Sequence, residues 1–319
     1  MLRRFKKAHS ANVRAGVMQD GSRIELAVVR RLADGTVKVD ADNVEDTSDD
    51  IDWARDSHSG IGHKDLREAR VSTVLDADAY SLQLIEAPNV PDAEIQQAVR
   101  WRIQHLIEFP IDDAVVETFE MPAPANPGAR PMIYAVVAHH DEIVKAIDRV
   151  KNAKLYPDVI DIPELCIRNV ATQLPQDADG AAFLHFTDDC GYLTITRRGV
   201  LYMIRRIETR RGELADADDD VFSLLERSAG VALEVQRSLD YYESHYDCRP
   251  VNELVLGPGH NLDTHANTLA ENLGIKVSRL NLDDLFTVGT EIRPDVQSDC
   301  LLAIGAALRS NEATRAVAA

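Results

Sequence analysis

Cysteine is scarce and scattered: Cys166, Cys190, Cys248 and Cys300 are the four in 319 residues. No two form a Cys-x-x-Cys pair, so the spacing indicates neither a zinc knuckle nor a disulfide framework, and they read as reduced, mostly buried thiols. Long apolar runs are missing too. LLAIGAAL at 301–308 falls far short of the roughly 20 residues that span a bilayer. The start, MLRRFKKAHSANVRAGV, has the basic residues of a signal peptide without its apolar stretch. A soluble, cytosolic chain is therefore expected. Basic residues are outnumbered, 35 against 53 acids, giving a formal charge of -18. Such a surface repels phosphate backbones and argues against a nucleic-acid partner. The motifs GxSxG, GKS/T and HExxH do not occur.

What is present is an ordinary apolar fraction, 45%, enough for sizeable cores. The length suggests two domains at roughly 150 residues each. NVRAGVM and RIELAVVRR meet at Asp20-Gly21, and TVKVD follows Asp34-Gly35. Asp-Gly between apolar runs signals a hairpin, because a type I′ turn needs φ > 0 at both central positions. A three-stranded meander is expected. DADNVEDTSDDIDWARD at 40–56 holds eight acids against one arginine and is expected as a solvated insertion. After a strand pair, 91–110 reads as a helix. Pro91, Asp92 and Glu94 suit its first turn. Ile95, Ala98, Val99, Ile103, Leu106 and Phe109 form its apolar stripe, and Pro110 ends it. AVVETFEM and MIYAVVA read as strands around a loop at 123–131, then come helix HDEIVKAIDRVKNA, strand PDVIDI and helix PELCIRNVATQL.

Near Gly180 the opening pattern returns. AAFLHF, GYLTITRR and VLYMIRRI read as three more strands, followed by a long helix at 221–246. NELVLG, LDTHANTLAENLG and KVSRL continue as strand, helix and strand, and DCLLAIGAALRS reads as a buried helix, apolar nearly all round. Each half thus starts with a meander and continues into mixed α and β elements. Such a duplication is similar to the actin, sugar-kinase and chaperone-ATPase superfamily, an α/β fold of two lobes facing a cleft. The first lobe is expected over 1–175 with an inserted subdomain at about 80–155. The second is expected over 176–319 with helix 221–246 inserted.

EIQQAVRWRIQHLIEFPIDDAVVETFEM (94–121), the segment 134–170, EVQRSLDYYESHY (234–246), the segment 253–277 and LLAIGAALRS (301–310) resemble, in colinear order, the PilM-like family of type IV pilus assembly proteins. The MSHA (mannose-sensitive haemagglutinin) pilus biogenesis branch, the MshI-like proteins, looks most similar. The resemblance implies a two-lobed actin-like (ribonuclease H-like) ATPase fold and a cytoplasmic protein at the inner face of a bacterial inner membrane. It also implies docking onto the cytoplasmic tail of a PilN-like inner-membrane partner and contact with other assembly components. The cytoplasmic part of a type II secretion inner-membrane protein is a further relative of this fold.

The family holds Mg·ATP between its lobes, and here its loops depart from pattern. Where the first phosphate loop reads G-I-D-I-G-S, Gly16 aligns with the first glycine and Met18 falls at the metal-holding acid. Asp20, with Gly21 and Ser22, takes that role only after a shift of one or two residues. In the second loop His185 stands at the acid position and Thr187 at the glycine. Asp188 and Asp189 follow at a turn, where plain turn chemistry accounts for them. The adenosine loop keeps Gly257 and Gly259 but places Pro258 between them, which removes a backbone N–H. Two readings follow. One is a scaffold with a degenerate nucleotide site, no catalytic residues and no cofactor. The other is a protein that binds ATP and magnesium through Asp20, Gly21, Ser22, Asp188, Gly257 and Gly259, with nucleotide state regulating docking.

Trp101 lies about 140° from the centre of its helix's apolar stripe and is a candidate partner anchor, unless it packs on a neighbouring element. His139-His140-Asp141 reads as a strand end with Asp141 capping the next helix rather than as a metal site. His58 and His63 sit in an expected loop. The basic start, Arg3, Arg4, Lys6 and Lys7, either frays in solvent or touches anionic lipid at roughly 1 kcal/mol per charge.

Overall fold

In the computed structural model, residues 12–20, 23–45, 61–126, 128–152, 154–215, 221–259 and 262–309 are described. The first half runs β1 (Val13–Asp20), β2 (Arg23–Arg31), β3 (Val37–Glu45), α1 (His63–Glu68), β4 (Arg70–Val74), β5 (Tyr80–Glu86), α2 (Asp92–Ile103), β6 (Ala114–Glu120), β7 (Met132–His139), α3 (His140–Asn152), β8 (Val159–Asp161) and α4 (Pro163–Ala171). The second runs β9 (Ala181–Phe186), β10 (Gly191–Arg197), β11 (Val200–Ile207), α5 (Val221–Tyr246), β12 (Glu253–Leu256), α6 (Asp263–Leu273), β13 (Lys276–Arg279), β14 (Thr287–Val288), α7 (Pro294–Asp299) and α8 (Leu301–Leu308).

The duplication expected from the sequence is explicit in the sheets. The first has the order β14-β3-β2-β1-β4-β8 and the second β11-β10-β9-β12-β13. In each, an antiparallel meander is extended from its first strand by two parallel strands. Tight turns explain the meanders. Thr36 N–H donates to Asp34 Oδ1 at 2.9 Å, and Gly35 takes φ +88°. The first hairpin pairs Asp20 with Arg23, so its connection is Gly21-Ser22, one residue later than Asp20-Gly21; both lie outside the described residues.

Two helices cross between the halves. α4 packs against β9 and β10, whereas α8 packs against β1, β2, β4 and α4. One core therefore joins Ala27, Val29 and Val39 of the first sheet to Phe183, Tyr192 and Val255 of the second. β14 and α8 join the first sheet although they follow the second in the chain, so β14 does not belong with the second lobe's sheet. Close approach demands glycine here. A Cβ on Gly16 would lie 1.8 Å from the Ala303 carbonyl oxygen, and one on Gly305 2.2 Å from the Cys166 carbonyl oxygen. The C-terminal apolar run is not one helix with its preceding residues; it breaks at Cys300 between α7 and α8.

The inserted subdomain is a three-stranded sheet, β5-β7-β6. α2 covers one face through Val99 and Ile103. This helix is shorter than the segment 91–110. It stops at Ile103, where the chain must turn back to enter β6, and Leu106 is 56% exposed. Arg100 fixes the turn by donating to the carbonyls of Ala114 (2.9 Å) and Ile111 (2.5 Å).

The acidic segment differs as well. Residues 40–45 complete β3, and Asp40 and Asp42 are buried. They are tolerated because Arg30 pairs with Asp40 and the backbone N–H of Asn43 donates to Asp42 at 3.0 Å. The rest of that segment, His58 and the basic start lie outside the described residues. His63 begins α1 rather than sitting in a loop. Among the described residues no helix is long and apolar enough to cross a membrane.

Candidate functional site

The two meander ends, the second sheet's first turn and α7 meet between the lobes around a cavity of about 30 Å³, lined by Met18, Glu25, His185, Thr187, Asp188, Asp189, Arg211 and Asp299 among others. That is room for a water molecule or two. Arg211 fills the middle. Its Nε and Nη2 engage Asp188 at 3.0 and 2.7 Å. Its Nη1 reaches Asp299 Oδ1 at 2.7 Å and Ser298 Oγ at 2.9 Å. From the other side Arg23 Nη1 and Asn43 Nδ2 donate to Asp299 Oδ2 at 2.8 and 3.0 Å. Burial works against the Arg211 cation, but the Asp188 and Asp299 carboxylates outweigh it and raise its pKa. The fork geometry suits arginine, which offers donors to two carboxylates at once.

Each sequence candidate now has a place. Met18 and His185, aligned with the family's metal-holding acids, both line the cavity. His185 is a packing group: a Cβ on Gly257 would lie 2.5 Å from its Nδ1. Burial, then the Arg211 charge, pushes its imidazole down to about 3, so it is neutral. The Gly257 N–H donates to the Leu184 carbonyl at 2.7 Å, continuing the sheet. Gly259 abuts Leu262 and its carbonyl accepts from Arg279 at 3.1 Å. Neither glycine lines the cavity. Asp188 does, half-exposed and bound to Arg211. The turn chemistry belongs to Thr187 instead, whose hydroxyl accepts from the N–H groups of Asp189 and Cys190, each at 3.3 Å. Asp20 ends β1, while Gly21 and Ser22 lie outside the described residues.

Sequence reasoning missed Arg23, Arg211 and Asp299, which are far apart in the chain and belong to no motif. It also missed a second clamp. Glu164, fully buried at the start of α4, accepts from Arg206 Nε at 2.7 Å and from the Tyr80 hydroxyl. The Arg206 guanidinium lies 4.9 Å from the Tyr80 ring centroid. Burial, then the Glu164 charge, pushes the Tyr80 hydroxyl far up, so it remains a donor.

A larger concavity of about 420 Å³ lies between the inserted sheet and β11 with α5. Leu84, Met121, Tyr134, Met203, Tyr241 and Tyr246 contribute its apolar walls, and Arg205 and Arg237 stand at it. Both arginines pair with Glu234, at 2.8 and 2.9 Å. The loop after β6 is tied to the end of α5 by the Ala125 N–H donating to the His245 carbonyl at 3.0 Å.

Trp101 is 65% exposed, as its position off the stripe predicts. It lies on α2, which covers the face of the inserted sheet opposite to Met132 and Tyr134 of the groove. Asp141 does not cap α3; it sits in the first turn, and its N–H donates to His139 Nδ1 at 3.1 Å. Among the described residues no group of three or more His, Cys, Asp or Glu side chains is placed to hold a metal.

No family model matches the sequence, and no curated protein matches it. Solved structures do. A structure described as the PilM-PilN type IV pilus biogenesis complex aligns over 92% of this chain and 97% of that chain, at 20% identity and TM-score 0.64. A Bacteroides thetaiotaomicron protein of actin-like ATPase fold and unknown function aligns over 95% and 98%, at 10% identity and TM-score 0.47. The cytoplasmic domain of EpsL, an inner-membrane component of the Vibrio cholerae type II secretion system, aligns over 76% and 81%, at 11% identity and TM-score 0.43. The chain has the two-lobed actin-like fold, and it is similar along nearly its whole length to a chain of the PilM-PilN complex.

Proposed function

We propose that this protein is a scaffold of type IV pilus assembly, of the MSHA type, that docks at the inner membrane onto the cytoplasmic tail of a PilN-like partner and uses no nucleotide. The contrast between the two concavities carries this reading. The interlobe space is about 30 Å³ and is bridged by Asp188, Arg211, Asp299 and Arg23, whereas the groove beside β11 is about 420 Å³, open and mostly apolar. An extended tail carrying apolar side chains fits such a groove; a triphosphate with its metal does not fit the first space without parting the ion pairs.

A second reading rests on Glu25, Asp188 and Asp189, carboxylates that line the interlobe cavity and could join phosphates around Mg²⁺. Here nucleotide would open the cleft and regulate docking. Thermal unfolding with and without excess Mg·ATP separates the two. Ligand at 100 times its Kd stabilises by about 2.7 kcal/mol, a rise of about 4 °C for a chain of this length. No shift up to millimolar nucleotide is expected. A dose-dependent, magnesium-dependent rise would replace the scaffold reading with the second.

A further inference from the structure

The larger groove meets β11 along its edge. Tyr202, Met203, Ile204 and Arg205, successive residues of that strand, all line it. Neighbouring side chains on a strand point to opposite faces, so a cavity that touches each in turn runs beside the backbone. β11 ends its sheet, with β10 as its neighbour. The register slips once, at Tyr202, whose ring turns onto Tyr242 and Tyr246 of α5 at 5.4 and 5.0 Å. From Met203 to Ile207 the ladder with β10 is regular. In such a ladder every second residue sends its N–H and C=O away from the partner strand. Among the described residues no hydrogen bond from outside the sheet reaches the backbone of 201–206.

Other sheet edges are protected. β8, β13 and β14 are three, four and two residues long, too short to template much pairing. On β6 the carbonyls of Ala114 and Val116, two positions apart and so on one edge, accept from Arg100 at 2.9 Å and Gln96 at 3.1 Å. On β5 Arg102 takes the Glu86 carbonyl at 2.7 Å. β11 has eight residues and no such cover among the described residues. Its two faces look onto different walls. Arg205 reaches Glu234 of α5, and Ile204 packs with Tyr134 of the inserted sheet. Beyond the edge, Tyr241 and Tyr246 stand on the first side and Leu84, Met132 and Tyr134 on the second.

We infer that an extended, uncharged segment of the partner's tail, apolar at successive positions, adds a strand to the free edge of β11 beside Met203, Ile204 and Arg205. Main-chain hydrogen bonds hold such a segment, and the walls select its side chains. Alternation sends one set onto Tyr241 and Tyr246 and the other onto Leu84, Met132 and Tyr134, so every position is apolar, as in a strand buried on both faces. Arg205 and Arg237 are both engaged by Glu234, and no carboxylate lines the groove, so the space suits a neutral occupant. Met132 and Met203 let the walls adapt to its shape. This pairing presupposes the groove as docking site, as proposed above, and adds the conformation and composition of what fills it.

Short fluorescent peptides tiling the cytoplasmic tail of the PilN-like protein from the same organism, titrated onto the full chain, test it. The strongest binder is remade with one N-methyl group at each backbone amide in turn. Every second position along the paired stretch should lose about tenfold or more, because a methylated amide cannot donate and strands a β11 carbonyl. The positions between should hold. The amides of 203–206 should also exchange with deuterated water more slowly when the unmodified peptide is bound. Losses at successive positions, or at none, overturn strand addition, while binding of the unmodified peptide leaves the docking reading standing. Unchanged exchange at 203–206 overturns it too. If no peptide binds, the docking reading falls and strand addition with it, so the two failures look different. The protein is unaltered throughout, so the folding of a variant does not enter.

Discussion

Arg206 Nε lies 2.7 Å from Glu164 Oε1, joining β11 of the second lobe to a fully buried carboxylate at the start of α4. Because α4 begins in the first half and packs on the second sheet, this pair ties the two lobes together. Arg206→Ala strands the buried charge, and removing one partner of such a pair costs about 3–5 kcal/mol. Denaturant unfolding should show that loss, with a midpoint shift at unchanged slope. A loss under 1 kcal/mol would mean that Glu164 takes up a proton or finds water.

Gly16→Ala and Gly305→Ala should each destabilise. Their Cβ atoms would meet backbone oxygens, which cannot step aside as a side chain tip can. Overpacking of this kind costs about 1–3 kcal/mol. Gly212→Ala, with nothing within 4 Å of its Cβ, is the matched control and should stay within about 0.5 kcal/mol. Thermal melts of the three variants make the comparison.

Much of the fold was legible in the sequence, because its signals are local. The Asp34-Gly35 turn, the continuous apolar run of β9 and the all-round apolar helix α8 each follow from a few neighbouring residues. The register of the first hairpin, the end of α2 at Ile103 and the burial of Asp40 were not. Each depends on a distant group: the pairing of Asp20 with Arg23, the need to reach β6, the cation of Arg30. The site was less legible still. Arg211 and Asp299 are 88 positions apart and meet only because α7 returns to the first sheet. Gly257 and Gly259 looked like loop glycines but serve close packing.

Two buried histidines set the acid response. Burial pushes His265 down to about 4, where it contacts Ser228 Oγ at 2.7 Å, and His185 sits at about 3. In the unfolded chain both take up a proton near pH 6.5; in the folded chain neither does. The unfolded state thus binds more protons between pH 6.5 and about 4, and stability falls as pH drops through that window. His265 alone accounts for about 3 kcal/mol at full extent. His265→Gln should flatten the dependence of melting temperature on pH there, and an unchanged slope would remove His265 from the account.

The groove and Trp101 give a paired prediction, since they lie on opposite sides of the inserted sheet. Tyr241→Ala should weaken binding of a fluorescent partner-tail peptide at least tenfold. Trp101→Ala should leave both that titration and the melting temperature unchanged, because the side chain is 65% exposed. A Trp101 variant that loses the tail would move the docking site onto the α2 face and free the groove for another component.

The return of β14 and α8 to the first sheet has a consequence for how the protein is made. β1 to β4 leave the ribosome early, but the helix that covers one of their faces is encoded at 301–308. At about 5–20 residues per second, that face waits on the order of ten seconds or more without its cover. The half synthesised first is therefore the half completed last, and a nascent chain halted before Leu301 would display Ala27, Val29 and Val74 to any chaperone that recognises apolar strands.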